Sequence, residues 1–290
     1  MALIPFDDRD GSIWINGEMI PWREATSHTL SHGLHYASTV FEGERVYSGV
    51  IFKGREHTER LRRSCEMLDF ELPLSDDELD AAKMAVVEAN GIVDGYVRAF
   101  AWRGSEMMAI SAQHTTTHVA IAAWEWPSYF DPETKMKGIT LDIADWKRPS
   151  PESAPVHAKA AGLYMICTLS KHAAEKKGFQ DALMLDYRGY LAEATGANVF
   201  FVDKEGTIHT PIADCFLDGI TRRTVIALAE SLQMKVLQRH LTLDDLSEMT
   251  ECFLTGTAAE VTPVSQIGDA SFTPGDISRQ LVDGYENLVR

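Results

Sequence analysis

Residues 156–164 read VHAKAAGLY and join a predicted strand at 138–144 to a predicted helix at 160–177. At their centre stands Lys159, flanked on both sides by alanine and followed by a glycine three residues on. A flat ligand can approach this amine closely, because no bulky side chain shields it. Lysine is also the residue whose amine can lose its proton and form a Schiff base. Taken alone, a solvated lysine at the start of a helix is the simpler interpretation.

The chain on either side of this stretch has a mixed helix and strand pattern. Residues 12–20 form a predicted hairpin that turns at Asn16-Gly17, a pair typical of tight hairpins. Ser75 and Glu78 have the spacing of a capping box and open a predicted helix. Apolar spacing predicts the remaining elements: a hairpin at 45–52, a helix at 57–68, strands at 95–102, 117–126, 181–186, 197–202, 234–238 and 252–254, and helices at 222–232 and 275–289.

The pattern breaks once, at 127–137, where two prolines and several polar residues stand together. We interpret this segment as an interdomain loop. It separates a small N-terminal domain at 1–126 from a larger domain at 138–290. Each part mixes strands and helices, so the predicted fold class is α+β with two domains.

Composition excludes several classes of protein. The chain has 290 residues, of which 45% are hydrophobic, and a net charge of −16. Nucleic-acid binding needs clustered Lys and Arg, so an acidic chain of this kind is not expected to bind it. The four cysteines show no CxxC spacing, so we expect neither a disulfide framework nor a metal site. No apolar run has membrane length and the N-terminus has no signal-peptide pattern, so we expect a cytoplasmic protein with no membrane partner.

Three further segments carry residues that suit the chemistry of a Schiff-base lysine. Glu193 stands in a turn-rich segment and could pair with a protonated ring nitrogen. Residues 219–222, GITR, open a predicted helix whose backbone N–H groups could hold a phosphate. Residues 255–260, TGTAAE, form a small-residue turn rich in donors. Each signal is weak singly, since a surface glutamate, an ordinary helix start and a simple loop explain them equally well.

Together these motifs resemble the branched-chain amino-acid aminotransferases, which belong to the fold-type IV enzymes that use pyridoxal 5′-phosphate (PLP). The resemblance extends from about Ile13 to the end of the chain, and seven motifs occur in the family's order. They are SHGLHYASTVFEG at 31–43, HTERL at 57–61, YVR at 96–98, KAAGLY at 159–164, EATGANVF at 193–200, GITR at 219–222 and TGTAAE at 255–260. The resemblance implies a small α/β N-terminal domain and a larger, β-barrel-like α/β C-terminal domain.

The resemblance also implies a set of cofactor-binding residues. Lys159 would be the Schiff-base lysine and would relay the proton in both half-reactions. Glu193 would pair with the pyridine nitrogen, and Tyr164 would donate to the 3-oxygen. The phosphate would be bound by Arg60, the Ile220 and Thr221 backbone, and Thr257.

Substrate-binding residues follow from the same resemblance. Tyr96 and the Thr257–Ala258 turn resemble the site of the substrate α-carboxylate, and Arg98 resembles the group that accepts the side-chain carboxylate of glutamate. The walls for an aliphatic side chain would be Tyr36, Phe41, Trp126, Tyr129 and Tyr164. For these aromatic residues ordinary core packing is the alternative. The implied reaction is transamination between branched-chain L-amino acids and 2-oxoglutarate by a homodimer or higher homo-oligomer.

Two departures from the family pattern leave the substrate range open. Ala99 and Asp218 stand where the family commonly has proline. The alternatives are another fold-type IV activity, such as a D-amino-acid or (R)-amine transaminase or an aminodeoxychorismate lyase, and a non-catalytic PLP-binding protein. FEG at 41–43 and YVR at 96–98 favour the branched-chain type.

Overall fold

The computed structural model describes residues 4–126 and 135–290. The described residues divide into two compact units. The first comprises 4–126 together with Ala158–Gly162, and the second comprises 135–157 together with Leu163–Arg290. Most of the predicted interdomain loop lies outside the described residues, and the segment that carries Lys159 belongs to the first unit.

Sixteen strands and six α-helices lie within the described residues. In chain order the strands are β1 (Ser12–Ile15), β2 (Glu18–Pro21), β3 (Thr39–Phe41), β4 (Glu44–Tyr47), β5 (Val50–Ile51), β6 (Gly95–Arg103), β7 (Thr117–Glu125), β8 (Ile139–Ile143), β9 (Asp181–Leu185), β10 (Leu191–Ala194), β11 (Asn198–Asp203), β12 (Ile208–Thr210), β13 (Val236–Gln238), β14 (Met249–Gly256), β15 (Glu260–Ile267) and β16 (Ala270–Ser271). The helices are α1 (His32–Tyr36), α2 (Gly54–Met67), α3 (Asp76–Ala89), α4 (Met165–Lys176), α5 (Ile220–Ser231) and α6 (Asp276–Val289). None of these helices has the length and apolar character needed to cross a membrane.

The first unit is built on a seven-stranded sheet in the order β2-β1-β7-β6-β4-β5, with β3 paired to β6. Its first hairpin turns where predicted, because Asn16 and Gly17 both take the positive φ that a two-residue hairpin turn requires. Helix α3 starts at the predicted capping box, in which Ser75 and Glu78 satisfy each other's backbone N–H groups. Fully buried apolar side chains such as Leu61, Leu79 and Ile121 form the core of this unit.

The second unit contains a closed six-stranded barrel. Its strands follow the order β10-β9-β8-β15-β14-β11, and the pairing of β10 with β11 closes the ring. Fully buried residues from several of these strands form one hydrophobic cluster, among them Leu141, Leu183, Phe201 and Val264. The predicted α+β fold with a barrel-like second domain is therefore confirmed.

Two barrel strands were not predicted. Strand β10 has four residues, all buried, so it shows no alternation of polar and apolar side chains. Strand β15 contains Pro263, which argues against a central strand. Its ladder with β8 begins only at Val264, so the missing N–H of Pro263 costs that ladder no bond. The predicted helix at 160–177 begins instead as a 3-10 turn, Ala161–Tyr164, before α4.

Candidate active site

The Lys159 backbone is fixed from two sides in the first unit. Its carbonyl accepts from the Phe41 N–H at 3.0 Å, and its own N–H donates to Ser64 Oγ at 3.0 Å. The next residue, Ala160, forms a β-bridge to Val40. Strand β3 and helix α2 therefore hold the lysine at a defined position, although no regular element contains it.

The Lys159 side chain lies beside an aromatic ring that also faces an arginine. Its Nζ is 5.0 Å from the centroid of the Phe41 ring, and the guanidinium carbon of Arg98 is 4.6 Å from the same centroid. Both distances are typical of cation–π contacts. The predicted Schiff-base lysine, one predicted apolar wall and the predicted carboxylate-binding arginine are therefore neighbours in this unit.

Tyr96 completes this group. Arg98 Nη2 lies 3.5 Å from the Tyr96 hydroxyl, at the outer limit of a hydrogen bond. A side chain on Gly43 would put its Cβ 1.7 Å from that hydroxyl oxygen, so only glycine permits this position of Tyr96. Within the described residues the buried Nε of Arg98 has no hydrogen-bond partner, as expected of a donor that a carboxylate ligand would engage.

The other predicted wall residues differ in how they relate to this group. Trp126 packs on Tyr96 with ring centroids 5.3 Å apart. Tyr36 is 42% exposed, and its ring stacks on His32 of the same short helix. Tyr129 lies outside the described residues. Of these three, Trp126 is the one that the structure places against the Tyr96 ring.

Arg60 lies on α2, one helical turn before Ser64, and forms a buried ion pair. Its Nε and Nη2 donate to the two carboxylate oxygens of Glu42 at 2.6 and 2.7 Å. His57 Nδ1 lies 2.6 Å from Glu42 Oε2. Burial alone would raise the pKa of Glu42, but Arg60 and His57 outweigh it and hold that pKa well below its ordinary value. The guanidinium of Arg60 is thus fixed by a forked contact along one edge.

In the second unit, Glu193 lies on β10 and is buried. Its Oε1 is 3.3 Å from Arg148 Nε, a distance within the range of an ion pair but without hydrogen-bond geometry. Its Oε2 accepts from Asn198 Nδ2 at 3.2 Å. A carboxylate beside an arginine is held in its charged form, which is the form that a protonated pyridine nitrogen requires.

Arg148 also contacts the turn that carries Tyr164. Its Nη1 donates to the Leu163 carbonyl at 3.3 Å. One arginine therefore links Glu193 with the residue next to Tyr164. The pairing of Arg148 with Asp186 through an isolated bridge anchors its backbone to the barrel.

The predicted helix start at 219–222 is present. Helix α5 begins at Ile220, with Gly219 as its N-cap in an extended conformation. Ile220 and Thr221 are its first two residues and are buried, and the first N–H groups of a helix have no partner within the helix. A side chain on Gly219 would put its Cβ 2.3 Å from Asn198 Oδ1, so this turn also requires glycine.

Thr257 and Ala258 lie in the turn between β14 and β15. The strand before this turn pairs with β11, and Thr255 lies opposite Asn198 in that ladder. Asn198 in turn lies opposite Glu193 in the β10–β11 pairing. Glu193, the start of α5 and the 257–259 turn therefore meet at one end of the barrel.

The donor set of both units fits PLP by its chemistry. The first unit offers a lysine amine and a fixed guanidinium, and the second offers a buried carboxylate, a helix start and a donor-rich turn. A cofactor with an aldehyde, a ring nitrogen and a phosphate needs one of each kind of group. Three residues that hold these groups were not predicted: Glu42, Arg148 and Asn198. Glu42 and Asn198 stand inside quoted motifs, whereas no pattern in the sequence pointed to Arg148.

Comparison with known proteins agrees with this chemistry. The family model described as Amino-transferase class IV matches residues 39–267. The chain belongs to the class IV aminotransferase family.

Curated relatives and solved structures are more specific. A "Probable branched-chain-amino-acid aminotransferase" of Rickettsia felis is 42% identical over 294 residues, with both chains fully covered. The "Branched-chain-amino-acid aminotransferase" of Pseudomonas aeruginosa is 37% identical, covering 97% of this chain and 94% of its own. The branched-chain amino acid aminotransferase of the organism abbreviated T.th., solved with pyridoxamine 5′-phosphate, superposes with a TM-score of 0.94 at 38% identity, covering 97% of this chain and 94% of that one.

Proposed function

We propose that this chain is a PLP-dependent transaminase that transfers the amino group of branched-chain L-amino acids to 2-oxoglutarate. The observation that carries the proposal is the arrangement in the first unit, where the Lys159 amine and the Arg98 guanidinium both lie against the Phe41 ring. A proton-transferring amine, an apolar wall and a carboxylate-binding cation are the three features that such a reaction needs.

Lys159 is the proposed catalytic residue. Bound PLP supplies an electron sink that stabilises negative charge at the substrate α-carbon. The Lys159 amine takes the proton from that carbon in the first half-reaction and returns a proton in the second. The Phe41 and Ser64 contacts hold the lysine backbone in place for this transfer.

The remaining groups bind and orient. Glu193, held near Arg148 and Asn198, keeps the ring nitrogen protonated. Arg60, the first N–H groups of α5 and Thr257 bind the phosphate, and Tyr164 donates to the 3-oxygen. The positive end of a helix and a forked arginine both favour a phosphate dianion.

Substrate choice follows from the first unit. A leucine side chain gains roughly 0.8 kcal/mol for each CH₂ buried against Phe41, Tyr96 and Trp126. Glutamate binds in the same place because Arg98 can accept its side-chain carboxylate. The α-carboxylate of either substrate is bound by Tyr96 and the Thr257–Ala258 turn. Two solved structures of the T.th. enzyme support this dual pocket, since one is complexed with N-(5′-phosphopyridoxyl)-L-glutamate and the other with 4-methylvaleric acid.

Assembly and location belong to the same proposal. We expect a homodimer or higher homo-oligomer, and a cytoplasmic protein. Four reduced, buried cysteines support the cytoplasm, because disulfides are rare there. Size-exclusion chromatography with light scattering tests the assembly, and a monomeric mass in the active enzyme would contradict it.

The function is tested by comparing wild type with Lys159→Ala in a leucine and 2-oxoglutarate assay that detects glutamate. We expect Lys159→Ala to abolish turnover, because the change removes the amine that moves the proton. Lys204→Ala is the matched control, since Lys204 is exposed and pairs with the equally exposed Glu248. Turnover retained by Lys159→Ala would contradict its role. Turnover by the wild type only with a D-amino acid or an (R)-amine would favour the alternative activities.

A further inference from the structure

We infer that Asn198 is a positioning residue that couples the carboxylate partner of the cofactor ring to the phosphate-binding start of α5. The inference rests on the proposed function. It concerns a residue with no role in the proposed mechanism except its contact with Glu193.

The Asn198 side chain uses its whole amide. Its Nδ2 donates to Glu193 Oε2 at 3.2 Å and to the Leu217 carbonyl at 3.0 Å, and its Oδ1 accepts from the Gly219 N–H at 3.2 Å. These partners fix the amide orientation, because a carbonyl can only accept and an N–H can only donate. The residue is 5% exposed, so water does not readily replace a lost partner.

The three contacts join two elements that are far apart in the sequence. Glu193 lies on β10, while Leu217 and Gly219 lie on the segment that leads into α5. Asn198 itself is held on both sides by the barrel, opposite Glu193 in one ladder and Thr255 in the next. A displacement of the amide therefore moves the Glu193 carboxylate and the helix start together.

Gly219 reports on the same contact from the other side. An added Cβ would lie 2.3 Å from Asn198 Oδ1, and its next neighbour beyond Asn198 is Arg222 Cβ at 3.6 Å, an ordinary contact distance. Gly219→Ala should therefore push the amide away from its position. Shortening Asn198 to alanine removes the obstacle and leaves room for the new methyl group.

The experiment is a double-mutant cycle on the affinity of the apo-protein for two probes. PLP carries the phosphate, and pyridoxal carries the ring without it. Binding is measured by fluorescence titration of wild type, Asn198→Ala, Gly219→Ala and the double variant. Thermal unfolding confirms that each variant is folded. Asn198→Asp is the second single variant, because it keeps the size and the acceptor but loses both donors.

We expect Asn198→Ala and Gly219→Ala each to lower PLP affinity about tenfold, the size expected for losing a hydrogen bond to a charged group. The double variant should be no weaker than Asn198→Ala alone. Gly219→Ala should also lower the affinity for pyridoxal, although the substitution lies at the phosphate end. Asn198→Asp should lower pyridoxal affinity, because its carboxylate repels Glu193.

Losses that multiply in the double variant, or pyridoxal affinity unchanged in Gly219→Ala, would overturn the coupling. His209→Asn is the control for general loss of stability: His209 is buried in the same unit and bonds to Asp203 and Arg239. A pyridoxal affinity lowered equally by His209→Asn would also overturn the inference. Failure of the wild type to bind either probe would instead contradict the proposed function itself.

Discussion

Glu42→Gln is the substitution that most directly tests how the first unit holds Arg60. The Glu42 carboxylate is fully buried and receives two contacts from Arg60 and one from His57, all at 2.6–2.7 Å. Glutamine keeps one acceptor oxygen and turns an NH₂ group toward these donors. It therefore leaves the buried Arg60 charge without a counter-charge. Breaking a buried pair in this way costs about 3–5 kcal/mol.

Urea denaturation at neutral pH measures this cost. Five of the six tryptophans lie in the first unit, so their fluorescence follows its unfolding. With a slope of about 1–3 kcal/mol per molar urea, we expect the midpoint to fall by roughly 1–3 M. Glu59→Gln is the matched control on the same helix. Its pair with Arg63 is exposed and 3.9 Å long, so a change within about 1 kcal/mol is expected. A Glu42→Gln protein as stable as Glu59→Gln would refute the reasoning.

The pH dependence of the same difference has a fixed sign. The folded pKa of Glu42 lies below its ordinary value of 4.5, so the folded state binds fewer protons than the unfolded state as the pH falls. The stabilisation is complete above the unfolded pKa and is lost progressively below it. The gap between wild type and Glu42→Gln should therefore be constant from pH 7 to about pH 5 and narrow at lower pH. A gap that widens on acidification would contradict this assignment.

Three further outcomes are expected. Ser75→Ala removes the N-cap of α3 and should lower the stability of the first unit by about 1 kcal/mol in urea denaturation; no loss would contradict the capping box. Burial raises the pKa of Cys65 and Cys215 to about 12 and of Cys167 to about 11, so the native protein should react slowly with a disulfide reagent at pH 8 and rapidly in urea. Fast labelling of the native protein would show that the thiols are accessible. Arg98→Ala should reduce kcat/KM for glutamate more than for leucine, and equal losses would argue against its proposed contact with the side-chain carboxylate.

Local sequence signals predicted the elements whose ends carry their own chemistry. The Asn16-Gly17 hairpin and the Ser75 capping box are decided by residues within a few positions of each other. Strands β10 and β15 close the barrel but could not be predicted in this way. A short, wholly buried strand has no period to detect, and Pro263 is tolerated only because of where the β8 ladder begins.

The candidate site divides along the same line. The motifs that carry Lys159, Glu193 and the start of α5 could be found because their residue types suit a known chemistry. Their supporting contacts could not, since each depends on tertiary pairing. Glu42 precedes Arg60 by eighteen positions, and Asn198 reaches Gly219 across twenty-one. A single sequence contains no local pattern that specifies such partners.

The central claim is tested most directly by the absorbance spectrum of the purified protein, recorded with PLP, then with L-leucine, then with 2-oxoglutarate. We predict that the cofactor band falls with leucine and returns with 2-oxoglutarate, because both half-reactions use the same lysine and the same substrate site. A band that does not respond to leucine but responds to a D-amino acid or an amine would contradict the branched-chain assignment. No band after addition of PLP would contradict the account as a whole.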